Sequence, residues 1–189
     1  MLASGSPRRA DLLRAAGYSF IVRVPEVSES EMRAASAAAH AEQLACEKAA
    51  DVAMRCLPGV PARVLAADTI VTIGRSILGK PHDAREARRM LRLLSGRTHR
   101  VITGVALMTA GAPKTIRSAR AITRVTFRRL SRWEIERYVA SGDPADKAGA
   151  YGIQNAASIF VTEIRGSWTN VVGLPMEIVF RLLGAPPRS

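Results

Sequence analysis

The chain of 189 residues is 48% hydrophobic and carries a net charge of +12. It is long enough to bury a substantial core, and we expect a single domain over residues 1–189, with room for two lobes. The sequence has no apolar run near the roughly 20 residues that span a bilayer, and its start, MLASGSPRR, lacks the apolar segment of a secretion signal.

Cysteine content and charge narrow the class of protein further. Two cysteines do not indicate a disulfide scaffold, so the expected compartment is the cytoplasm. The basic residues are spread over most of the chain, and aromatic residues make up only 5% of it. A nucleic-acid binder would more often gather basic residues into one tract interleaved with aromatics. We therefore expect a generally basic surface and no dedicated nucleic-acid site.

The first predicted elements are a short strand at residues 2–3, the small-residue loop SGSPRR at residues 4–9 and a helix. Ser6 is a good N-cap, Pro7 a good first helical residue, and the apolar stripe ends at Gly17. The N–H groups of the helix start, with two arginines in the first turn, would suit a phosphate. The alternative is an ordinary capped helix with solvated arginines.

A second strand and a long helix follow. Residues 18–24 alternate like a strand, residues 25–31 form an acidic loop, and residues 35–54 predict a helix. Lys48 falls on the apolar line of this helix. The pattern favours a side chain that snorkels out of the interface over one whose ammonium points into a cleft.

The stretch at residues 66–81, AADTIVTIGRSILGKP, places Asp68 inside an apolar, β-branched run that reads as a strand. A carboxylate in a half-buried strand needs a cation, a metal or a proton. Gly74 and Arg75 fit a hairpin turn whose returning strand would carry Lys80 back toward the acid. We predict an acid-and-cation site at a strand edge.

The rest of the chain predicts an irregular alternation of helices and strands. The elements are a capped helix at residues 83–96, strands at 99–108 and 119–127, a capped helix at 131–141, a charged, glycine-rich loop at 145–154, a strand at 157–164 and a last helix at 175–184. This order predicts the α/β class with a mixed sheet.

The candidate chemistry is carried by acids and cations. The cysteines and histidines lack a zinc-ligand spacing, and there is no GxSxG elbow for nucleophilic hydrolysis. Carboxylates that hold a divalent ion and cations that neutralise a polyphosphate are what phosphoryl chemistry uses. The residues alone leave a phosphate-handling enzyme and other functions open. The residues in question are Glu29, Asp68, Asp146, Arg8, Arg9, Lys48, Lys80 and Lys147.

Eight motifs in order resemble the Maf family of nucleoside triphosphate pyrophosphatases. They are LASGSPRR (2–9), Glu29 after the acidic loop, LACEKA around Lys48, ADTIV (67–71), GKP (79–81), SGRTHRVITGV (95–105), DKAGAYGIQ (146–154) and TNVVGLP (169–175). The resemblance implies the Maf/ITPase-like fold, an elongated mixed sheet flanked by helices with two lobes and a deep central cleft. It also implies a homodimer and hydrolysis of a nucleoside triphosphate to the monophosphate and pyrophosphate with Mg²⁺ or Mn²⁺.

The resemblance assigns roles to individual residues. Asp68 takes the catalytic acid position, as general base or as the carboxylate that organises the metal, and Glu29 joins it as a metal ligand. Lys48 and Lys80 take the phosphate-binding positions. The loop that grips the triphosphate corresponds to Ser4, Ser6, Arg8 and Arg9.

Three positions in the resemblance concern the base. Arg8, Thr69 and Gln154 match the branch that resembles dTTP/UTP pyrophosphatases. The sister branch, which resembles 7-methyl-GTP pyrophosphatases, has tryptophan and glutamine at the first two positions. We therefore expect dTTP and UTP as substrates. The departures from the family pattern are Ser28, where an aspartate is more usual, and Trp168-Thr169 in place of a tyrosine-serine pair.

A different class of function competes with this one. The family is also associated with septum inhibition, and the charge would suit a non-catalytic regulator that binds nucleic acid. A binding surface does not require Asp68, Glu29, Lys48 and Lys80 together, which favours the enzyme, with nucleotide-pool sanitation as its role. A pyrophosphatase for 7-methyl-GTP or another modified nucleotide is the alternative within the enzyme class.

Overall fold

A computed structural model describes residues 1–27, 35–56, 62–110, 115–154 and 156–184. The chain divides into two compact units. Unit 1 comprises Met1–Asp68, Thr103–Ala121 and Gly173–Ser189, and unit 2 comprises Thr69–Ile102 and Ile122–Val172. The single domain over residues 1–189 stays a prediction. Among the described residues, no helix combines the length and the hydropathy needed to cross a bilayer.

The described residues form strands and helices in irregular alternation, as the sequence predicted. The strands are β1 (Leu2–Ala3), β2 (Val22–Arg23), β3 (Ala62–Ile73), β4 (Ser76–Leu78), β5 (Thr98–Ala110), β6 (Thr115–Phe127) and β7 (Val161–Arg165). The helices are α1 (Pro7–Ala15), α2 (Ala37–Met54), α3 (Ala84–Leu94), α4 (Arg132–Ala140), α5 (Trp168–Val172) and α6 (Met176–Leu183).

These strands belong to one sheet with the order β2-β1-β3-β5-β6-β7, and β4 pairs with β3. β1 runs parallel to both β2 and β3, whereas β3 with β4 and β6 with β7 are antiparallel. The α/β class with a mixed sheet flanked by helices is therefore confirmed.

In unit 1, small side chains let α2 lie close against the sheet. Ala45 and Ala49 of α2 are fully buried against Ala66 of β3 and Ala106 of β5. A Cβ added at Gly104 of β5 would lie 2.3 Å from the carbonyl oxygen of residue 41, so only glycine permits this approach. The contact fixes the height of α2 above the sheet.

In unit 2, the core is formed by α3, α4 and an aromatic cluster. The stripe predicted for α3 is confirmed, because Ala87, Met90, Leu91 and Leu94 are all buried. Edge-to-face contacts link the aromatic rings of the cluster. These rings belong to His99, Phe127, Tyr138, Tyr151 and Phe160.

The capping predictions for α3 and α4 and the turn prediction at Gly74 are confirmed. The Asp83 side chain accepts from the N–H of Glu86 at 2.6 Å, and Ser131 with Glu134 forms a capping box at the start of α4. Gly74 adopts φ +56° in the hairpin between β3 and β4. The last helix ends at Leu183, before Gly184.

Two predicted strands differ from the structure, and one observed helix was not predicted. The strand expected at 18–24 is reduced to Val22–Arg23, at the edge of the sheet, where only two residues pair. The strand expected at 157–164 begins at Val161, after a 3-10 helix at Ala156–Phe160, and α5 was not predicted at all. Short apolar runs do not distinguish strand from helix by period, so packing decides between them.

Candidate active site

Residues 4–9 follow the end of β1, and Asp68 lies two residues beyond Ala66 in the neighbouring strand β3. Leu2 pairs with Leu65, and Ala3 pairs with Ala66. Because β1 and β3 are parallel, the chain that leaves β1 at Ser4 continues alongside the segment of β3 that leads to Asp68. Two motifs more than 60 residues apart are thus brought together by strand register.

A buried ion pair lies beside the end of β1. The Lys48 ammonium on α2 lies 2.5 Å from Asp68 Oδ1, and the two side chains are 8% and 10% exposed. The snorkelling favoured by the helical pattern is therefore wrong, because the ammonium turns inward to a carboxylate. Lys48 is the cation that a carboxylate in a buried strand requires, since an uncompensated buried charge costs several kcal/mol, about 3–5.

Ser4 and Arg9 hold the shape of the loop. The Ser4 hydroxyl oxygen, which is buried, accepts from the Ser6 N–H at 3.1 Å and from Arg9 Nη1 at 3.2 Å. Arg9 Nε donates to the Gly173 carbonyl at 2.8 Å, so the guanidinium joins the loop to the segment that precedes α6. These two predicted site residues therefore also organise the backbone around the start of α1.

The start of α1 is formed by a serine, a proline and two arginines. Ser6 occupies the predicted N-cap position, but its side chain makes no capping hydrogen bond. Pro7 begins the helix, and the first turn contains no acidic residue. Arg8, in that first turn, is half-buried. Backbone N–H groups at a helix start, with a guanidinium beside them, form a local environment that favours an anion.

The remaining described site residues belong to unit 2. Thr69 lies in β3 and is partly buried, Lys80 is exposed just after β4, and Gln154 is exposed at the end of the glycine-rich loop. The Gly149 N–H donates to the Gly79 carbonyl at 3.0 Å. The loop that carries Gln154 is therefore attached to the residue that precedes Lys80.

The same loop contains a strained residue. Ala150 is fully buried and has φ +61°, a conformation that costs an alanine roughly 1 kcal/mol or more. At Gly149, with φ +72°, an added Cβ would lie 3.0 Å from a Val71 methyl group. The loop therefore packs closely against β3 at the residue that precedes Ala150.

One predicted ligand, Glu29, lies outside the described residues, as does the departure at Ser28. Among the residues that are described, no group of three or more histidine, cysteine, aspartate or glutamate side chains could hold a metal ion. Of the two predicted metal ligands, the described residues therefore contain the Asp68 carboxylate. Its oxygens are of the type that Mg²⁺ and Mn²⁺ bind.

His99 and Tyr151, both in the motifs quoted above, form a buried polar pair in the core of unit 2. Their closest atoms, His99 Nε2 and Tyr151 Oη, are 2.7 Å apart. Burial lowers the pKa of His99 to about 4 and raises the pKa of Tyr151, so both are neutral at pH 7. The pair therefore joins core elements and supplies no charge.

Sequence reasoning missed three participants in these local structures. The Gly173 carbonyl anchors Arg9, Gly104 admits α2 to the sheet, and Tyr138 bonds the glycine-rich loop through the Gly152 N–H at 3.2 Å. A glycine inside a predicted strand signals a close backbone approach, so Gly104 could have been found. The other two depend on contacts between distant segments.

Comparison with known proteins agrees with the motifs. A family model described as Maf-like protein matches residues 1–185. A dTTP/UTP pyrophosphatase of Symbiobacterium thermophilum is 49% identical over 183 residues, which cover 97% of this chain and 91% of the relative. A dTTP/UTP pyrophosphatase of Salmonella typhimurium is 50% identical over 185 residues, which cover 96% of this chain and 90% of the relative.

Among solved structures, the nucleoside-triphosphatase or dITP/XTP pyrophosphatase of Mycobacterium abscessus is 18% identical, with a TM-score of 0.38 over 68% of this chain and 74% of its own. That likeness is too low to bear on fold or function. The family assignment therefore depends on the match over residues 1–185 and on relatives near half identity. This chain belongs to the Maf-like protein family.

Proposed function

We propose that this protein hydrolyses dTTP and UTP to the nucleoside monophosphate and pyrophosphate. The observation that carries the proposal is the buried pair of Asp68 and Lys48, beside the end of β1 where the Ser4–Arg9 segment begins. The names of the two relatives, both dTTP/UTP pyrophosphatases, support the substrate class.

Asp68 is the residue proposed to activate water. In the reaction, the water oxygen attacks the α-phosphorus, the bond from that phosphorus to the bridging oxygen breaks, and pyrophosphate leaves. The water proton passes to an Asp68 carboxylate oxygen. Lys48 holds the carboxylate in one orientation through the 2.5 Å contact, which is the pre-organisation that a general base needs.

Mg²⁺ or Mn²⁺ is the proposed cofactor. Mg²⁺ is usually held by one or two carboxylates together with substrate phosphates and water, so the Asp68 carboxylate fits such an ion, with Glu29 as the second ligand that the resemblance implies. When bound, the ion would neutralise charge on the phosphate oxygens. The contribution of the chain is to supply these carboxylates and to fix the one at Asp68 through Lys48.

The phosphates and the base are assigned to the other residues. We assign triphosphate binding to the start of α1 with Arg8, to the serines of the same loop, and to Lys80. Ser4 and Arg9 also shape that loop through their mutual hydrogen bond. Recognition of the thymine or uracil ring falls to Arg8, Thr69 and Gln154.

A nucleotide panel tests the proposal. Pyrophosphate release is measured with dTTP, UTP, CTP, GTP and 7-methyl-GTP, each with Mg²⁺ and with Mn²⁺. We expect dTTP and UTP to be hydrolysed fastest. In Asp68→Asn, kcat should fall by about a factor of 10³, since an amide cannot accept the water proton.

The matched control is Asp11→Asn, an exposed aspartate on α1 that pairs with Arg14 at 2.9 Å. It should retain wild-type activity. Equal rates in the wild type and a folded Asp68→Asn variant would contradict the assignment of Asp68. Preferred turnover of 7-methyl-GTP would contradict the substrate class.

The proposal extends to a cytoplasmic homodimer whose role is nucleotide-pool sanitation and which has no dedicated nucleic-acid site. Light scattering coupled to size exclusion measures the oligomeric state, and a monomer at micromolar concentration would contradict the dimer. Tight RNA or DNA binding with a steep salt dependence and no nucleotide turnover would favour a regulatory protein instead.

A further inference from the structure

Lys147 is a buried lysine in unit 2, only 6% exposed. Its ammonium donates to the Asp143 carbonyl at 2.5 Å and pairs with the carboxylates of Asp143 at 3.1 Å and Asp146 at 2.7 Å. An ammonium has three N–H donors, and these three oxygens match them. Its charge is thus compensated by the turn that immediately precedes it.

The contacts of Lys147 close a ring. The second carboxylate oxygen of Asp143 accepts from the Tyr138 hydroxyl at 2.6 Å, and the Tyr138 oxygen accepts from the Gly152 N–H at 3.2 Å. The Gly152 backbone in turn lies on the Lys147 stem, since an added Cβ would be 2.5 Å from Lys147 Cε. We call this closed set of contacts, through Lys147, Asp143, Tyr138 and Gly152, the Lys147 ring.

The Lys147 ring fixes both ends of a tightly bent segment. Between Lys147 and Gly152 the chain passes through Gly149 and Ala150, with φ +72° and +61°. The Gly149 N–H donates to the carbonyl of residue 79. The segment is thereby attached to the residue before Lys80, and it ends two residues before Gln154.

We propose that Lys147 is a positioning residue for nucleotide selection, which acts through the Lys147 ring on Gln154 and, through the Gly149 hydrogen bond, on Lys80. The inference rests on the proposed function, which gives Gln154 and Lys80 their roles. The ammonium and the stem of Lys147 are both engaged within the chain. Lys147 therefore acts indirectly, through the positions of Gln154 and Lys80, and its loss should change substrate binding and base discrimination.

Two variants break the ring at different points. Lys147→Met keeps an unbranched apolar stem and removes the ammonium, and Tyr138→Phe removes the hydroxyl that joins Asp143 to Gly152 while it keeps the aromatic ring. The control is Arg165→Met, which removes an exposed cation of unit 2 that pairs with Glu163 at 2.7 Å.

In both ring variants, we expect KM for UTP to rise about tenfold and the ratio of kcat/KM for UTP to that for CTP to fall about tenfold, with kcat changed by less than about threefold. Arg165→Met should behave as the wild type. A purely structural role would lower the melting temperature and the active fraction but leave KM and the UTP/CTP ratio unchanged. An unchanged KM and an unchanged UTP/CTP ratio in folded ring variants would overturn the inference. If Lys147→Met does not fold, Tyr138→Phe provides the same test.

Hydrogen exchange separates this inference from the proposed function. In the ring variants, peptides that cover residues 148–154 and 79–80 should exchange faster than in the wild type, whereas α3 should be unchanged. If the wild type releases no pyrophosphate from any nucleotide, the proposed function fails. Hydrogen exchange in the ring variants then remains as the test of the Lys147 ring. Unchanged exchange at residues 148–154 would then overturn the positioning role.

Discussion

The buried pair of Lys48 and Asp68 gives a prediction that can be worked out from its geometry. The two charged atoms are 2.5 Å apart, and the side chains are 8% and 10% exposed, so solvent screens the pair very little. Removal of one partner leaves the other charge without this compensation. Such a change destabilises by about 3–5 kcal/mol in buried pairs.

We therefore expect Lys48→Met and Asp68→Asn each to lower the free energy of unfolding by about 3 kcal/mol. Such a loss corresponds to a fall in melting temperature of roughly 6–12 °C for a chain of this size. The free energy of unfolding of a typical domain is about 5–15 kcal/mol, so both variants should fold. The double variant should lose less than the sum of the two, with a coupling energy of about 2 kcal/mol.

Urea unfolding of the wild type, the two single variants and the double variant measures the coupling. The control cycle uses Asp11→Asn and Arg14→Met, an ion pair whose side chains are 68% and 62% exposed. Its coupling should be below about 0.5 kcal/mol. Additive losses at Lys48 and Asp68 would refute the reasoning that the ammonium compensates the carboxylate.

Three further predictions concern pH, packing and metal. Burial lowers the pKa of His99 from 6.5 to about 4, so as pH falls His99 is protonated in the unfolded chain before it is protonated in the folded protein. The free energy of unfolding should therefore decrease by about 3 kcal/mol between pH 6.5 and pH 4. In His99→Phe, the urea midpoint should depend less steeply on pH over this range than in the wild type. An identical dependence on pH would show that His99 is not its cause. Gly104→Ala should cost more than about 3 kcal/mol in urea unfolding and lower activity, since its Cβ would meet the α2 backbone at 2.3 Å; wild-type stability would contradict that contact. Chelation with EDTA should abolish pyrophosphate release, and Mg²⁺ or Mn²⁺ should restore it, whereas turnover that survives chelation would exclude the proposed cofactor.

Features that depend on neighbours in sequence were predicted well. The stripe of α3, the capping box at Ser131, the hairpin at Gly74 and the end of the last helix at Gly184 each involve residues within a few positions of one another. Their hydrogen bonds and periodicity are local, so a single sequence contains the relevant information. The placement of Asp68 in a buried strand, and its need for a partner, were derived in the same way.

The identity of that partner needed the tertiary structure. The pattern of α2 favoured a snorkelling Lys48, whereas the packing of α2 against the sheet, which Gly104 permits, places the ammonium on the Asp68 carboxylate. The Lys147 ring likewise joins residues up to 14 positions apart, whose contacts no period in the sequence indicates. The sequence by itself determined most of the elements, the family motifs and a buried acid that required a cation. The fold decided which cation meets that acid, because a pairing between a helix and a strand depends on how they pack and not on the local sequence of either.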